Sequence, residues 1–293
     1  MKKLTVYSLI TYIILILLSA VCVLPLIMVI SISLSSESAI AEYGYTLLPK
    51  VISFEAYKQA FANPWQLVNS YKTTVAYSII GTVLALLVQS MAAYSLSRKI
   101  FKYRKPITIY LFITMLFSGG LVPQYIINTQ YLRLNDSFWI YIFPSLVSVW
   151  NLIIIRTFFQ NLPTELVEAA KIDGASEFRI YGQIIMPLSK PVLATIGFMT
   201  LLVKWNDWNT ALIYIRNPSL YSLQYLLQRL LREAEFINNM AQTASAGLIN
   251  TADLPTESLR FTMAVLASGP MLLVFPFFQK YFTKGLTVGA VKG

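Results

Sequence analysis

LTVYSLITYIILILLSAVCVLPLIMVISISLSS, residues 4–36, runs for 33 residues without a charge, between Lys3 and Glu37. An α-helix rises about 1.5 Å per residue and the hydrocarbon core of a bilayer is about 30 Å thick, so about 20 apolar helical residues cross it with every backbone polar group bonded inside the segment. The run is therefore long enough to span. Lys2 and Lys3 ahead of it, with Ser19-Ala20-Val21-Cys22 inside it, would also open a lipoprotein signal. The apolar stretch outlasts a signal core, however, and Val21 stands where cleavage needs a small residue. The segment 1–34 reads as an uncleaved first transmembrane helix.

The same ruler applied outward finds uncharged stretches at 73–97, 106–132, 137–155 and 261–279, and an apolar segment, Pro191–Ile215, that carries Lys204 and Asp207 in its second half. Only 12% of the 293 residues are charged and 56% are hydrophobic, with a mean hydropathy of +0.61. Soluble domains carry about twice that share of charge. The reading is an all-α polytopic membrane protein with six transmembrane helices, one domain over 1–293, with the core spans within about 70–282. Residues 236–252 are uncharged too, but Asn238, Asn239, Gln242, Thr243, Ser245 and Asn250 make them too polar to insert, and they read as a loop.

Histidine is absent, the one cysteine is Cys22, and no GxxxxGK[ST] phosphate loop occurs, so neither catalytic nor metal-ligating residues are expected. The net charge of +10 would suit a nucleic-acid-binding protein if it formed a patch. Its distribution says otherwise. With the N-terminus inside and six spans, the inner segments hold fourteen Lys and Arg against four acidic residues, and the rest of the chain balances. An excess of cations marks the cytoplasmic side. Both termini, the turn 98–105 and the segment 159–190 are thus expected in the cytoplasm, with 216–260 an extracytoplasmic loop, in the cell membrane and without nucleic acid as a partner.

The segment between the fourth and fifth spans reads NLPTELVEAAKIDGASEFRIYGQIIMPLSKP, residues 161–191. Pro163 starts a helix whose apolar positions include Leu166, Ala169, Ala170 and Ile172; Asp173-Gly174 supplies a turn; Ser176 caps a second short helix with Phe178, Tyr181 and Ile185 available for packing; Pro187 ends it. Composition alone would also suit an amphipathic helix resting on anionic lipid through Lys171, Arg179 and Lys190.

The order of residues adds to this. EAAKIDGASEFRIYGQIIMP resembles the EAA loop of ABC importer permeases, with Met186 where that family usually has Leu. FSGGLVP at 117–123, VWNLIIIRTFF at 149–159, KWNDWNTALIYI at 204–215, PTESLRFTMAVLASGP at 255–270 and QKYFTKGLTVGAVKG at 279–293 look like the carbohydrate-uptake permeases, binding-protein-dependent transport system inner membrane components. Within these they are most similar to the LplC and YtcP group, relatives of the maltose permease subunit MalG. The resemblance implies a type I ABC importer permease fold that imports an oligosaccharide. It further implies a second homologous permease, a cytoplasmic ABC ATPase dimer that binds the ATP and magnesium, and an extracytoplasmic solute-binding protein, leaving no cofactor in this chain. The loop 163–187 would dock into the ATPase, with Glu168 a charged contact, Ala169 and Ala170 allowing close approach, Asp173 and Gly174 forming the turn and Pro187 closing the motif. An ABC permease for another solute, or a membrane enzyme acting on lipid-linked sugar, are the alternatives.

A substrate path by alternating access needs polar side chains within the spans and helices able to shift. Trp205, Asn206, Asp207 and Trp208 at the outer end of the fifth helix, with Gln89 and Asn151, are the candidates; Asn128 and Gln124 are further polar groups there. Tryptophans at that level also fit an interfacial aromatic belt. Lys204 would snorkel outward or pair with Asp207, or else attract an anionic sugar such as a uronate. The Gly119-Gly120 pair before Pro123 suggests a helix end or hinge. The amphipathic stretch 222–236 would pack over the spans or receive the solute-binding protein.

Overall fold

The computed structural model describes residues 6–243 and 256–290, and its elements are helical throughout apart from one isolated antiparallel bridge between Ser35 and Ile52. In chain order the α-helices are α1 (Val6–Ser33), α2 (Glu37–Tyr43), α3 (Glu55–Ala60), α4 (Pro64–Ser97), α5 (Arg104–Leu116), α6 (Leu121–Ile126) and α7 (Val149–Gln160). They continue as α8 (Thr164–Ile172), α9 (Glu177–Ile180), α10 (Met186–Leu188), α11 (Lys190–Trp205), α12 (Asn209–Tyr214), α13 (Leu223–Thr243) and α14 (Glu257–Ala290).

Among the described residues, three helices are long and apolar enough to cross a membrane unbroken: Leu9–Ser33, Pro64–Ser97 and Glu257–Gln279. Three helix pairs also pass that test when taken together, each bent at a short break. Arg104–Leu116 meets Leu121–Tyr131 at 112°, Phe138–Ser145 meets Val149–Gln160 at 51°, and Glu177–Leu188 meets Lys190–Trp205 at 79°. By length and composition these make up to six spans if each pair is one, the third pair including residues 177–188 of the 161–191 segment. The Gly119-Gly120 hinge is real: Gly120 has φ +85°, a conformation side chains resist, and α6 restarts beyond it. Two expectations fail. The helix expected over Pro191–Ile215 is broken: α11 ends at Trp205, 206–208 are non-helical and α12 starts at Asn209. Residues 236–243 continue helix α13 rather than forming a loop, while 244–252 lie outside the described residues. Polar composition forbids insertion but not helicity, and α13 buries Leu226, Leu227 and Ala234 on one stripe.

The chain divides into two compact units. The first takes residues 1–67 and 226–270. Here α1 continues through Pro25 with its apolar side chains outward, as a lipid-facing helix would, and Thr11 and Ser19 return their hydroxyls to the carbonyls of Tyr7 and Leu15. The N-terminus of α14 is held by one carboxylate. Glu37 Oε1 accepts from the Glu257 amide at 2.9 Å and Thr256 Oγ1 at 3.1 Å, and Oε2 from the Ser258 amide at 3.1 Å and Ser258 Oγ at 2.8 Å. Four donors at the positive end of a helix macrodipole stabilise the charge, and the charge stabilises the helix start.

The second unit takes residues 68–225 and 271–293. It has two apolar clusters, both resting on α4. One joins Ala93, Tyr94 and Leu96 to Leu152, Ile155 and Phe159 of α7 and to Val167, Ile180, Tyr181 and Ile185 of the 161–191 segment. The other joins Tyr77 to Ile140, Tyr141 and Ile142 and to Ala211, Tyr214 and Ile215. Phe198 of α11 packs on Phe275 and Phe278 of α14, at ring separations of 5.7 and 5.1 Å.

Glu37→Ala should remove the charge-assisted cap of α14 at a cost of about 1.5–3 kcal/mol. Thermal unfolding in detergent, compared with Glu42→Ala as a control, should show a lowered midpoint for the Glu37 variant alone.

Candidate functional site

The 161–191 segment has the helix-turn-helix form that its residues predict. Helix α8 ends at Asp173, Gly174 turns the chain with φ +75°, and the Ala175 amide reaches back to the Ala170 carbonyl at 2.9 Å. Ser176 then caps α9 by accepting from the Arg179 amide at 3.3 Å. A π-helical turn, Tyr181–Ile185, carries the chain on to α10 and Pro187.

Which face is buried differs in part from the expectation. Val167, Ile180, Tyr181 and Ile185 anchor the loop in the core, and Ala170 packs against them half-buried. Phe178, read as available for packing, is 72% exposed, and Ile172 on the other side of the turn is 87% exposed. Glu168, Ala169, Asp173, Gly174 and Pro187 are exposed as well. The loop thus offers a surface of two large apolar groups, small residues at the turn and charges beside them. Next to α8 lies a cavity of about 310 Å³ whose wall includes Arg98, Lys99, Arg104, Glu168 and Lys171.

Glu177, at the first turn of α9, gathers three elements. Its Oε1 takes an ion pair from Lys171 of α8 at 2.6 Å, and its Oε2 accepts from Tyr94 Oη of α4 at 2.5 Å, with Arg98 Nε 3.9 Å away. Beside it Ser90 Oγ and Tyr181 Oη share a hydrogen bond of 2.8 Å, and the rings of Tyr94 and Tyr181 lie 5.4 Å apart.

The polar residues of the spans converge on the broken helix 138–148. Gln89 is buried and donates from Nε2 to the Leu146 carbonyl at 2.7 Å. Lys204, 4% exposed, donates from Nζ to the Tyr141 carbonyl at 3.1 Å and to Ser145 Oγ at 2.7 Å. It neither snorkels nor pairs with Asp207, because the chain bends at 206–208 and Asp207 Oδ1 instead receives the Thr210 amide at 3.0 Å. Space for the lysine is made by Gly81: a Cβ there would lie 2.8 Å from Lys204 Cε and 2.9 Å from Nζ. Asn151 Nδ2 reaches Thr200 Oγ1 at 3.3 Å, and Asn206 Oδ1 receives Gln224 Nε2 at 3.2 Å. Trp205 is buried and Trp208 half-buried, so neither stands in an exposed aromatic belt. Asn128, also buried, donates to Tyr214 Oη at 3.1 Å.

Residues 2–288 match the profile of the family described as binding-protein-dependent transport system inner membrane component. The chain belongs to that family. The permease is 34% identical over 287 residues, 98% of each chain, to the "Polygalacturonan/rhamnogalacturonan transport system permease protein YtcP" of Bacillus subtilis (strain 168). It is 36% identical to "Protein LplC" of the same organism, over 94% of this chain and 90% of that one. Among solved structures it is similar, with a TM-score of 0.77 and 25% identity over 96% of this chain and 98% of the other, to a bacterial ABC transporter involved in the import of the acidic polysaccharide alginate. It is an ABC importer permease subunit and not an enzyme.

Sequence reasoning overlooked Tyr94, Glu177 and Ser145 as partners in these contacts. A Glu in the first turn of a helix and a Tyr near a span end are each unremarkable alone; the signal lies in their meeting across 83 positions. Gly81 was legible only as a packing glycine.

Gly81→Ala in the permease should displace the Lys204 amine and cost about 1–3 kcal/mol. Lys204→Ala in the same chain should recover part of that loss, because it removes the atoms the new methyl would meet. A double-mutant cycle of thermal unfolding in detergent checks this; additive losses would show that the two positions do not share the space.

Proposed function

We propose that the permease is the membrane path of an ATP-driven importer of oligosaccharide, with the loop 163–187 as its coupling element. In this reading the whole chain, 1–293, acts as one transmembrane domain. It pairs with a second homologous permease, two cytoplasmic ABC ATPase subunits that bind the ATP and magnesium, and an extracytoplasmic solute-binding protein that delivers substrate to the 216–260 side. Both termini and the coupling loop face the cytoplasm, consistent with the surplus of Lys and Arg there.

The observation that carries this is the two-sided loop. Its inner face is locked to α4 and α7 by Val167, Ile180, Tyr181 and Ile185, while its outer face leaves Ile172 and Phe178 uncovered around the Gly174 turn. Exposed apolar side chains on a rigid, anchored hairpin suit a partner groove, and they would cost little to desolvate there. Glu168 supplies the charged contact, and Ala169, Asp173 and Gly174 leave room for close approach. ATPase closure on this hairpin moves the helices to which it is fixed, exchanging inward- and outward-facing arrangements about the polar residues Gln89, Asn151 and Trp205–Trp208.

Carbohydrate is supported as cargo by the names of the similar proteins, one a polygalacturonan/rhamnogalacturonan permease and one an alginate importer. Oligogalacturonides are accordingly the first substrates to test. Because Lys204 is buried on neutral acceptors, its charge acts on a substrate through the surrounding field rather than by contact.

Gly174→Asp forces a side chain into a left-handed position at the turn, with a strain of about 1 kcal/mol or more and a new charge on the docking face. The variant should insert normally yet lose uptake and lose the ATPase on affinity purification. Normal uptake would remove the docking role. Uptake of oligogalacturonide and of a neutral oligosaccharide by wild type and Lys204→Gln separates the cargo classes: a selective loss for the acidic sugar supports an electrostatic contribution, and an equal loss for both removes it.

A further inference from the structure

The covalent ends of the 161–191 loop lead only to α7 and α11. Helix α4 is more than sixty residues away in sequence, and it carries Gly81 and Gln89, the groups that meet Lys204 and the broken helix in the interior of the second unit. If the loop is pushed, α4 follows only through side-chain contacts. Apolar packing by Ala93, Tyr94 and Leu96 resists separation but tolerates sliding, because dispersion contacts have no direction. Hydrogen bonds to a carboxylate are directional and about twice as strong as neutral ones.

We infer that Glu177 and Tyr94 form the mechanical tie that makes α4 move with the coupling loop, so that the pair positions α4 rather than touching substrate. Glu177 suits the task by its connections. One oxygen holds α8 through Lys171 and the other holds α4 through Tyr94 Oη, so the two short helices and the span meet on a single carboxylate. Arg98, at the end of the same span, adds its charge from 3.9 Å. The Lys171 arm is too exposed, at 38% and 48% for its two side chains, to matter much for stability. It does fix the orientation of the carboxylate toward Tyr94. The Ser90–Tyr181 bond one turn further in keeps the two elements in register.

This inference rests on the docking role proposed above. On that role, closure of the ATPase must drag the spans with it, and their resistance slows hydrolysis. Cutting the tie detaches the load. The test is the rate of Mg·ATP hydrolysis by the full complex of both permeases and the ATPase dimer in lipid nanodiscs, with no binding protein and no sugar. Tyr94→Phe and Glu177→Gln should each raise that rate about five-fold or more, the range of an ordinary coupling between sites. The double variant should rise no further than Tyr94→Phe alone, since Gln keeps an acceptor but loses the charge that strengthens the same bond. A merely structural role would lower hydrolysis together with assembly and would never raise it.

Unchanged or reduced rates in the singles overturn the inference, as does a rise in only one of them or a double variant whose effects multiply. Tyr94→Phe keeps the ring on Tyr181 and decides the matter alone if Glu177→Gln does not assemble. A wild-type permease that retains no ATPase on purification defeats the docking role itself, a separate result that appears before any variant is made and takes this inference with it.

Discussion

A bilayer offers no water to a bare carbonyl, and in this permease that constraint bears hardest on the breaks in its helices. A continuous helix such as α1 satisfies itself. A span that bends at 138–148 exposes carbonyls in mid-structure, and the chain meets them with side chains from other helices: Gln89 on Leu146, Lys204 on Tyr141. At the exposed end of α12, Asp136 receives the amides of Arg216 at 2.9 Å and Asn217 at 2.8 Å, where water could serve as well. Irregular backbone at membrane depth survives only where protein completes its hydrogen bonds. The polar residues of the interior therefore have a duty before any sugar arrives, which explains why so many of them are already bonded.

This bears on how a path through the second unit would open. Gln89 Oε1 and the hydroxyls of Ser78 and Thr82 are buried on α4 without a hydrogen-bond partner, on the same helix that gives Lys204 its space. Unmet acceptors and donors in one column are costly where they stand. A displacement of α4 that brought them to water or to a hydroxylated ligand would relieve that cost, so these groups favour movement of α4.

The positions of the spans were legible because charge is excluded from hydrocarbon, and uncharged intervals mark their limits whatever the helix does between them. The bends were not, since hydropathy is blind to direction; only Gly119-Gly120 before Pro123 announced one. The coupling hairpin was legible in detail because its turn chemistry is local: Gly174, Ser176 and Pro187 each act within a few residues. Its exposed face was misjudged at Phe178, since an apolar residue looks the same to the eye whether it meets its own core or a partner's. The fate of Lys204 was beyond reach, because the missing Cβ that houses it belongs to another helix.

The π-helical turn at Tyr181–Ile185 stores one residue more than an α-helical turn of the same rise. Each residue of an α-helix turns its successors by about 100°. That surplus residue therefore sets the azimuth of α10 relative to α9, and with it the direction in which the chain leaves the 79° bend into α11. Loss of a single residue from an ordinary helix spoils the register of its whole far side. Here, excision of Gly182 would let the turn relax to α geometry, making this a place where the chain's length and its rotational setting are exchangeable.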